Sequence, residues 1–318
     1  MGLLMTCFNG DVTWRQNVNR GLAQVTRHQL VRANQLEQLK KDLRSAKKQR
    51  KAVERELSAE LAAAVDRIHT LEVKLKPKPK PKPKLPPDYA PVTKQIWETV
   101  QKRTMTGHSK VNFMVDAMYY IERYQIPGAV VECGVWRGGS MMAGAMALQE
   151  LRATYRELFM FDTYEGMSPP TDRDVHIWHG QSGDEMLAAQ KLGAPLWVPA
   201  SLEDVKAGFE PLGYPEENLH FVVGKVEDTI PEHAPEQIAV LRLDTDWYES
   251  TKHEMNHLYE RLQPGGVLIV DDYGSWQGSK DAVDEFMEVT GEPLLLTQVG
   301  RGRVAVKPGL VSRSQREG

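Results

Sequence analysis

Between Lys76 and Lys84 the chain reads KPKPKPKPK. Proline at every second position fixes φ and removes every second amide donor, so neither a helix nor a central strand can run through this segment. The conformation left is an extended polyproline II rod, semi-rigid at roughly 3.1 Å per residue. The run therefore divides the chain into two bodies that must bury their apolar surface separately. Charge follows the same division. Residues 1–85 carry 19 Lys and Arg against 8 Asp and Glu, and the remainder 21 against 35, so a net +11 precedes a net −14 within a total of −3.

Upstream of the rod, a seam runs through Leu36, Leu39, Leu43, Ala46, Arg50, Val53, Leu57, Leu61, Ala64, Ile68, Leu71 and Leu75 in steps of three and four. That is a heptad pattern, with two successive steps of four at Leu57 forming a stutter. No Gly or Pro interrupts it. Residues 1–75 are expected to form an N-terminal segment and coiled-coil helix that makes a homo-oligomer; a single helix packed on its own domain is the alternative. Residues 76–87 form the Lys-Pro linker. No aromatic side chain interleaves with its lysines, so base stacking has no platform and no nucleic acid is expected. The linker reads as a spacer, with a weak contact between Lys76–Lys84 and an anionic membrane as the sharper reading. The opening MGLLMT, followed by Cys7, matches a myristoylation pattern through Gly2 and Thr6. No apolar run approaches the ~18 residues of a membrane span. Two cysteines far apart, Cys7 and Cys133, argue for a reducing, cytoplasmic setting.

From residue 88 to 308 apolar strand-like runs alternate with helical patterns, which predicts an α/β fold, a largely parallel sheet with helices on both faces. Strands are expected at 129–133, 158–162, 219–223, 239–244, 266–271, 294–299 and 303–306. The short turn Gly300–Gly302 makes the last strand antiparallel. Helices are expected near 91–104, 109–125, 139–152, 201–212, 249–263 and 278–290. Residues 309–318 read as a flexible tail.

Ligands of open α/β sheets bind beyond the carboxyl ends of the strands. Here those ends carry Glu132 and Gly134, Asp162, Gly224, Asp244 with Asp246, and Asp271 with Asp272. In VECGVWRGGS, glycines let the chain turn sharply and let a ligand approach the backbone, and the amides at the next helix start favour a carboxylate or phosphate. The acidic Glu132 would attract an ammonium group. Asp162, about 30 residues on, is placed to hold ribose hydroxyls. Ammonium, carboxylate and ribose together describe S-adenosyl-L-methionine better than a dinucleotide.

The ends LRLDTDW and VLIVDDYG bring four carboxylates together if their strands are neighbours. Like charges that close cannot all stay ionised unless some are protonated or a cation sits among them. Oxygen donors without His or Cys indicate a hard divalent ion, Mg²⁺ first, then calcium or manganese. Such an ion acidifies a coordinated hydroxyl, and a nearby carboxylate can take the proton.

The strings IPGAVVECGVWRGGSMM (126–142), FMFDTYEGM (159–167), LRLDTDWYEST (241–251) and PGGVLIVDDYG (264–274) resemble the macrocin O-methyltransferase family over about residues 100–307. TMTG at 104–107 is similar to a segment that lies near the cofactor in that family. The resemblance implies a Rossmann-like class I methyltransferase sheet and an S-adenosylmethionine- and magnesium-dependent enzyme acting on a sugar hydroxyl of a glycoside or glycan. It implies Asp244, Asp271 and Asp272 as metal ligands and Asp246 as general base. Glu132, Gly134, Gly138, Ser140 and Asp162 fall on the cofactor motifs, with Gly224 at the next strand end. The family more often reads Leu-Asp-Gly-Asp where this chain has Thr245, and Trp247 is expected to add bulk near the acceptor. The stalk and rod have no counterpart that is recognisable by motif. A catechol-type methyltransferase and a non-catalytic oligomeric scaffold are the competing readings.

Residues 164–200 are long for a strand-to-helix connection and read as a lid with a short helix near 185–192. His176, Trp178 and His179 are placed there to touch a sugar or, more commonly, to pack the lid. His253 and His257, one turn apart, are expected on the outer face of a helix rather than on a metal.

Overall fold

The computed structural model describes residues 7–75, 85–191 and 199–309. The MGLLMT pattern and the Lys76–Lys84 rod lie outside the described residues, as do the end of the presumed lid helix and the 309–318 tail beyond its first residue. The chain divides into two compact units between residues 83 and 84.

The described residues of the first unit form one helix, α1 (Cys7–Leu75). It is longer than the heptad seam, and its last described residue, Leu75, directly precedes the KPKP sequence. No described helix is long and apolar enough to cross a membrane.

The second unit is a seven-stranded sheet of order β3-β2-β1-β4-β5-β7-β6. Its strands are β1 (Ala129–Cys133), β2 (Leu158–Asp162), β3 (Leu219–Val223), β4 (Ile238–Leu243), β5 (Leu262–Val270), β6 (Thr297–Val299) and β7 (Gly302–Val306). The first five are mutually parallel, and β7 runs antiparallel to both β5 and β6. α2 (Pro91–Val100) and α3 (His108–Arg123) precede β1, and between the strands lie α4 (Gly139–Glu150), α5 (Gly183–Lys191), α6 (Leu202–Phe209), α7 (Val226–Thr229), α8 (Tyr248–Leu258) and α9 (Gln277–Thr290). Strand residues alternate between two cores. Val130, Leu158, Met160, Val240 and Ile269 face α3 and α4 residues such as Met114, Met118 and Leu148. Val131, Phe161, Leu241, Leu268 and Val270 face Met255, Leu258 and Val283 on the other side.

Four boundaries depart most from expectation; one is α8, which ends at Leu258 rather than 263, with a short 3₁₀ turn following to Arg261. β5 starts at Leu262 rather than 266, because a register shift beside β4 lets Leu262 pair with Ile238 across the PGG segment. β6 keeps only Thr297–Val299; Leu295, 83% exposed, has no core to enter. α2 ends at Val100 rather than 104, which frees 101–107 to reach the strand ends.

Candidate active site

A cavity of about 490 Å³ opens at the carboxyl ends of β1, β2, β4 and β5. Gly134, Asp162 and Gly224 line one part of it, and Asp244, Asp246, Asp271 and Asp272 another. Met105, Thr106 and Gly107 of the TMTG segment and Lys110 of α3 complete the wall beside the acids. Gly134 is where β1 and β4 meet most closely. Its φ is +82°, and a Cβ there would lie 2.1 Å from the carbonyl oxygen of Asp244. Only glycine fits both constraints.

Asp162 is fixed by three main-chain amides. Its Oδ2 accepts from Val135 N (2.7 Å) and Trp136 N (3.0 Å), and its Oδ1 from Tyr164 N (2.7 Å). The carboxylate thus ties the loop after β1 to the end of β2, and Asp162 lines the cavity. The other cofactor-motif residues sit behind the wall. Gly138 caps α4 with φ +79° and faces Val205 and Phe209 of α6. Ser140 is buried in the first turn of α4.

Glu132 departs most from expectation. It is 1% exposed and is not part of the cavity wall. It pairs in register with Arg242 of β4, so the two side chains share one face of the sheet. Arg242, 3% exposed, donates from Nη1 to Glu132 Oε1 (2.5 Å) and Asp244 Oδ2 (2.7 Å), and from Nη2 to Asp271 Oδ1 (2.7 Å). Lys110 donates to Asp271 Oδ2 and to the Asp271 carbonyl (3.1 Å). In this structure the cation that Glu132 faces through Oε1 is Arg242, while its Oε2 is buried with no hydrogen-bond partner among the described residues.

The four-acid convergence is present. Leu243 and Val270 pair across β4 and β5, so Asp244 and Asp271 emerge side by side. Carboxylate oxygens of Asp244, Asp271 and Asp272 lie within 4.8 Å of one another. Two protein cations, Arg242 and Lys110, stand among these acids. Asp271 is penalised by burial, but Arg242 and Lys110 outweigh that and hold its carboxyl below the usual range. Burial pushes Asp272 well above that range, and the neighbouring Asp246, which is hydrogen-bonded to it, adds to the rise. Burial also raises Glu132, to about 7, against the pull of Arg242.

Asp246 has φ +66°, and Trp247 N donates to Thr245 O (2.8 Å) around it. A non-glycine residue held in this way stores strain, and such strain concentrates at functional positions. Below the turn, Thr245 donates to Glu254 Oε2 (3.2 Å). Glu254 is fully buried and pushed well above the carboxylate range by that burial.

The donor set fits a hard divalent ion. Three carboxylates converge, and Asp272 Oδ2 is buried with no hydrogen-bond partner among the described residues.

The lid segment is pinned down over 171–183. Asp174, fully buried, accepts from Tyr248 N (2.7 Å) at the start of α8 and from Thr171 N and Oγ1. Trp247 donates to Ser168 O (2.9 Å) and packs edge-on against Trp276 at 4.9 Å. It is 2% exposed and outside the cavity wall, so its expected bulk beside the acceptor is corrected: Thr245 alone of that pair lines the space. His176 and His179 stack on each other at 4.6 Å, and Trp178, 65% exposed, anchors its indole N–H on Gly274 O. His253 bonds the carbonyl of Ile230 and stands apart from the acids.

Strand order, parallel register and a cavity of acids and glycines at the strand ends define a class I, Rossmann-like methyltransferase. The chain belongs to the macrocin-O-methyltransferase (TylF) family, matched over residues 29–302. The match starts inside α1, well upstream of the motifs. Among its relatives, an 8-demethyl-8-(2,3-dimethoxy-alpha-L-rhamnosyl)-tetracenomycin-C 4'-O-methyltransferase of Streptomyces olivaceus is 34% identical over 60% of this chain and 69% of its own. A mycinamicin III 3''-O-methyltransferase of Micromonospora griseorubida is 31% identical over 59% and 71%. The solved O-methyltransferase NovP superposes with a TM-score of 0.57 at 29% identity, over 65% of this chain and 83% of that one. The protein is therefore an O-methyltransferase, and its family implies S-adenosylmethionine as methyl donor.

Proposed function

We propose that this enzyme methylates a sugar hydroxyl of a glycoside or glycan in a magnesium-dependent reaction. The observation that carries the reading is the convergence of Asp244, Asp271 and Asp272 within 4.8 Å in the cavity that Gly134, Asp162 and Gly224 also line. The sugar comes from the relatives, two of which are named for rhamnosyl and mycinamicin positions. Gly134 and Gly224 give the donor room against the backbone, and Asp162 receives its ribose. Glu132, Gly138 and Ser140 support that wall from behind. Asp244, Asp271 and Asp272 would hold Mg²⁺, which when bound acidifies and orients a hydroxyl. Asp246 takes the hydroxyl proton. The oxygen then forms its bond to the donor's methyl carbon as the carbon–sulfur bond breaks, and that electron pair stays on sulfur, leaving S-adenosylhomocysteine. Arg242 keeps Asp244 and Asp271 in place throughout.

The enzyme forms a homo-oligomer through α1. A cytoplasmic setting is supported by Cys133, buried with a free thiol. The membrane reading of Lys76–Lys84 and the lipidation pattern stay as sequence proposals, and no nucleic acid is assigned. The test is a mass-spectrometric panel of glycosides against catechols with S-adenosylmethionine, with and without magnesium. Gain of one methyl group on a glycoside, lost with chelator, is expected. Methylation of catechols alone would overturn the sugar assignment, and no gain on any acceptor together with no cofactor binding would favour the scaffold.

A further inference from the structure

Helix α1 carries an apolar seam on its surface. Leu36, Leu39, Leu43, Val53, Leu57 and Leu61 are each between 54% and 66% exposed. From Leu36 to Leu75 the seam is about 60 Å long at 1.5 Å per residue. An apolar stripe of this length needs cover, and a strict three-four period is followed best by a helix with the same period.

The geometry points to a second copy of this chain as the occupant, lying parallel and in register with the first. This deepens the self-association assigned to α1 above and is independent of the methyl-transfer reading.

Three features carry the orientation. The first is the stutter. Two successive steps of four at Leu57 and Leu61 shift the seam's phase and locally unwind a supercoil. Both helices of a pair must unwind at the same level. A parallel pair in register aligns the two stutters. An antiparallel pair in full overlap, residue 36 against 75, sets residues 57–61 against 50–54, where the partner's steps are regular.

The second is flanking charge. With Leu36, Leu43, Arg50 and Leu57 at a positions and Leu39, Ala46 and Val53 at d, the parallel register faces Asp42 of one copy with Lys47 of the other. The other facing pairs are Gln35 with Lys40, Gln49 with Glu54, Glu60 with Val65 and Arg67 with Glu72. None sets like charges against each other.

The third is Arg50, a charged residue in an apolar seam. Its Nε lies 2.7 Å from Glu54 Oε1 one turn on, and its long stem lets the head reach the rim. In register, the two Arg50 residues share one layer, each with its own Glu54 close by. A slip of one heptad would set Arg50 against Leu43 and Leu57, interrupt two apolar layers and misalign the stutters. A single polar a position is a known register device.

The test uses the full chain. Sedimentation velocity at rising concentration reads association, and Val53→Cys under mild oxidation reads orientation, with the wild type as control for its two native cysteines. Expected are an oligomer in the wild type, a monomer for Leu57→Asp with unchanged folding of the catalytic unit, and a disulfide-linked pair through Cys introduced at 53. A wild-type monomer at every concentration would overturn the interface. Cross-linking only when Ser58→Cys is added to Val53→Cys would show antiparallel pairing and overturn the orientation while leaving association in place. Neither result bears on methyl transfer.

Discussion

Replacing Arg242 with methionine keeps the stem and removes the charge that three strand ends share. Glu132, Asp244 and Asp271 all bond this one guanidinium, which is 3% exposed. Removing one partner of a buried ion pair costs about 3–5 kcal/mol, because the remaining charge is left in a poor solvent. Here several carboxylates lose a partner at once. They can escape only by taking up protons, so the loss must depend on pH. At pH 8 Arg242→Met is expected to lose about 3–5 kcal/mol of stability in the catalytic unit. At pH 5.5 protonation relieves the repulsion and the loss shrinks to about half or less. Urea unfolding followed by tryptophan fluorescence is a suitable assay, since Trp247 and Trp276 are 2% and 4% exposed and report this unit. A loss below about 1 kcal/mol at pH 8, or an equal loss at both pH values, would refute the claim that Arg242 compensates the cluster.

Four further outcomes are expected. Glu132 is raised to about 7 from 4.5, so the folded chain holds a proton that the unfolded chain releases between those values. Its contribution to stability is therefore present below pH 4.5 and lost as pH rises toward 7, by about 3 kcal/mol, and Glu132→Gln should flatten that part of the stability–pH curve. Lys110→Gln removes a cation from Asp271 and should tighten magnesium binding roughly tenfold in calorimetry; weaker binding would show that Lys110 supports the site rather than competes for it. Gly134→Ala places a Cβ 2.1 Å from the Asp244 carbonyl at φ +82° and should destabilise by about 3–5 kcal/mol, read by thermal melting. Asp246→Asn keeps a hydrogen-bonding group beside Asp272 and should retain cofactor and magnesium binding while losing turnover on any glycoside that the wild type methylates; full turnover would remove Asp246 as base.

Much of the fold is written in local pattern. Buried parallel strands read as short apolar runs ending in acid or glycine, so β1, β2 and β3 fall where alternation places them. The β5 start was missed because Pro264 and two glycines resemble a loop, whereas pairing of Leu262 with Ile238 is a tertiary event. In the site, the acids were legible because they end strands. Their compensation was only partly so. Arg242 and Glu132 are lone charges in two central strands, and two such charges in neighbouring buried strands are a signal that they pair. Lys110 reaches Asp271 across 161 residues of sequence, and nothing in HSKVNF announces it. Glu254 reads as an ordinary polar position on α8. Trp247 was assigned by its nearness to Asp246 in sequence, but adjacent residues around a tight turn point apart.

If the ends of β4 and β5 form a divalent-cation site serving methyl transfer, magnesium must bind there. Isothermal calorimetry with magnesium, in the presence of S-adenosylhomocysteine, tests it most directly on the wild type and on Asp271→Ala and Asp272→Asn. One site per chain is expected in the wild type and its loss in both variants, with S-adenosylhomocysteine still bound. A wild type that binds S-adenosylhomocysteine but takes up no magnesium would contradict it.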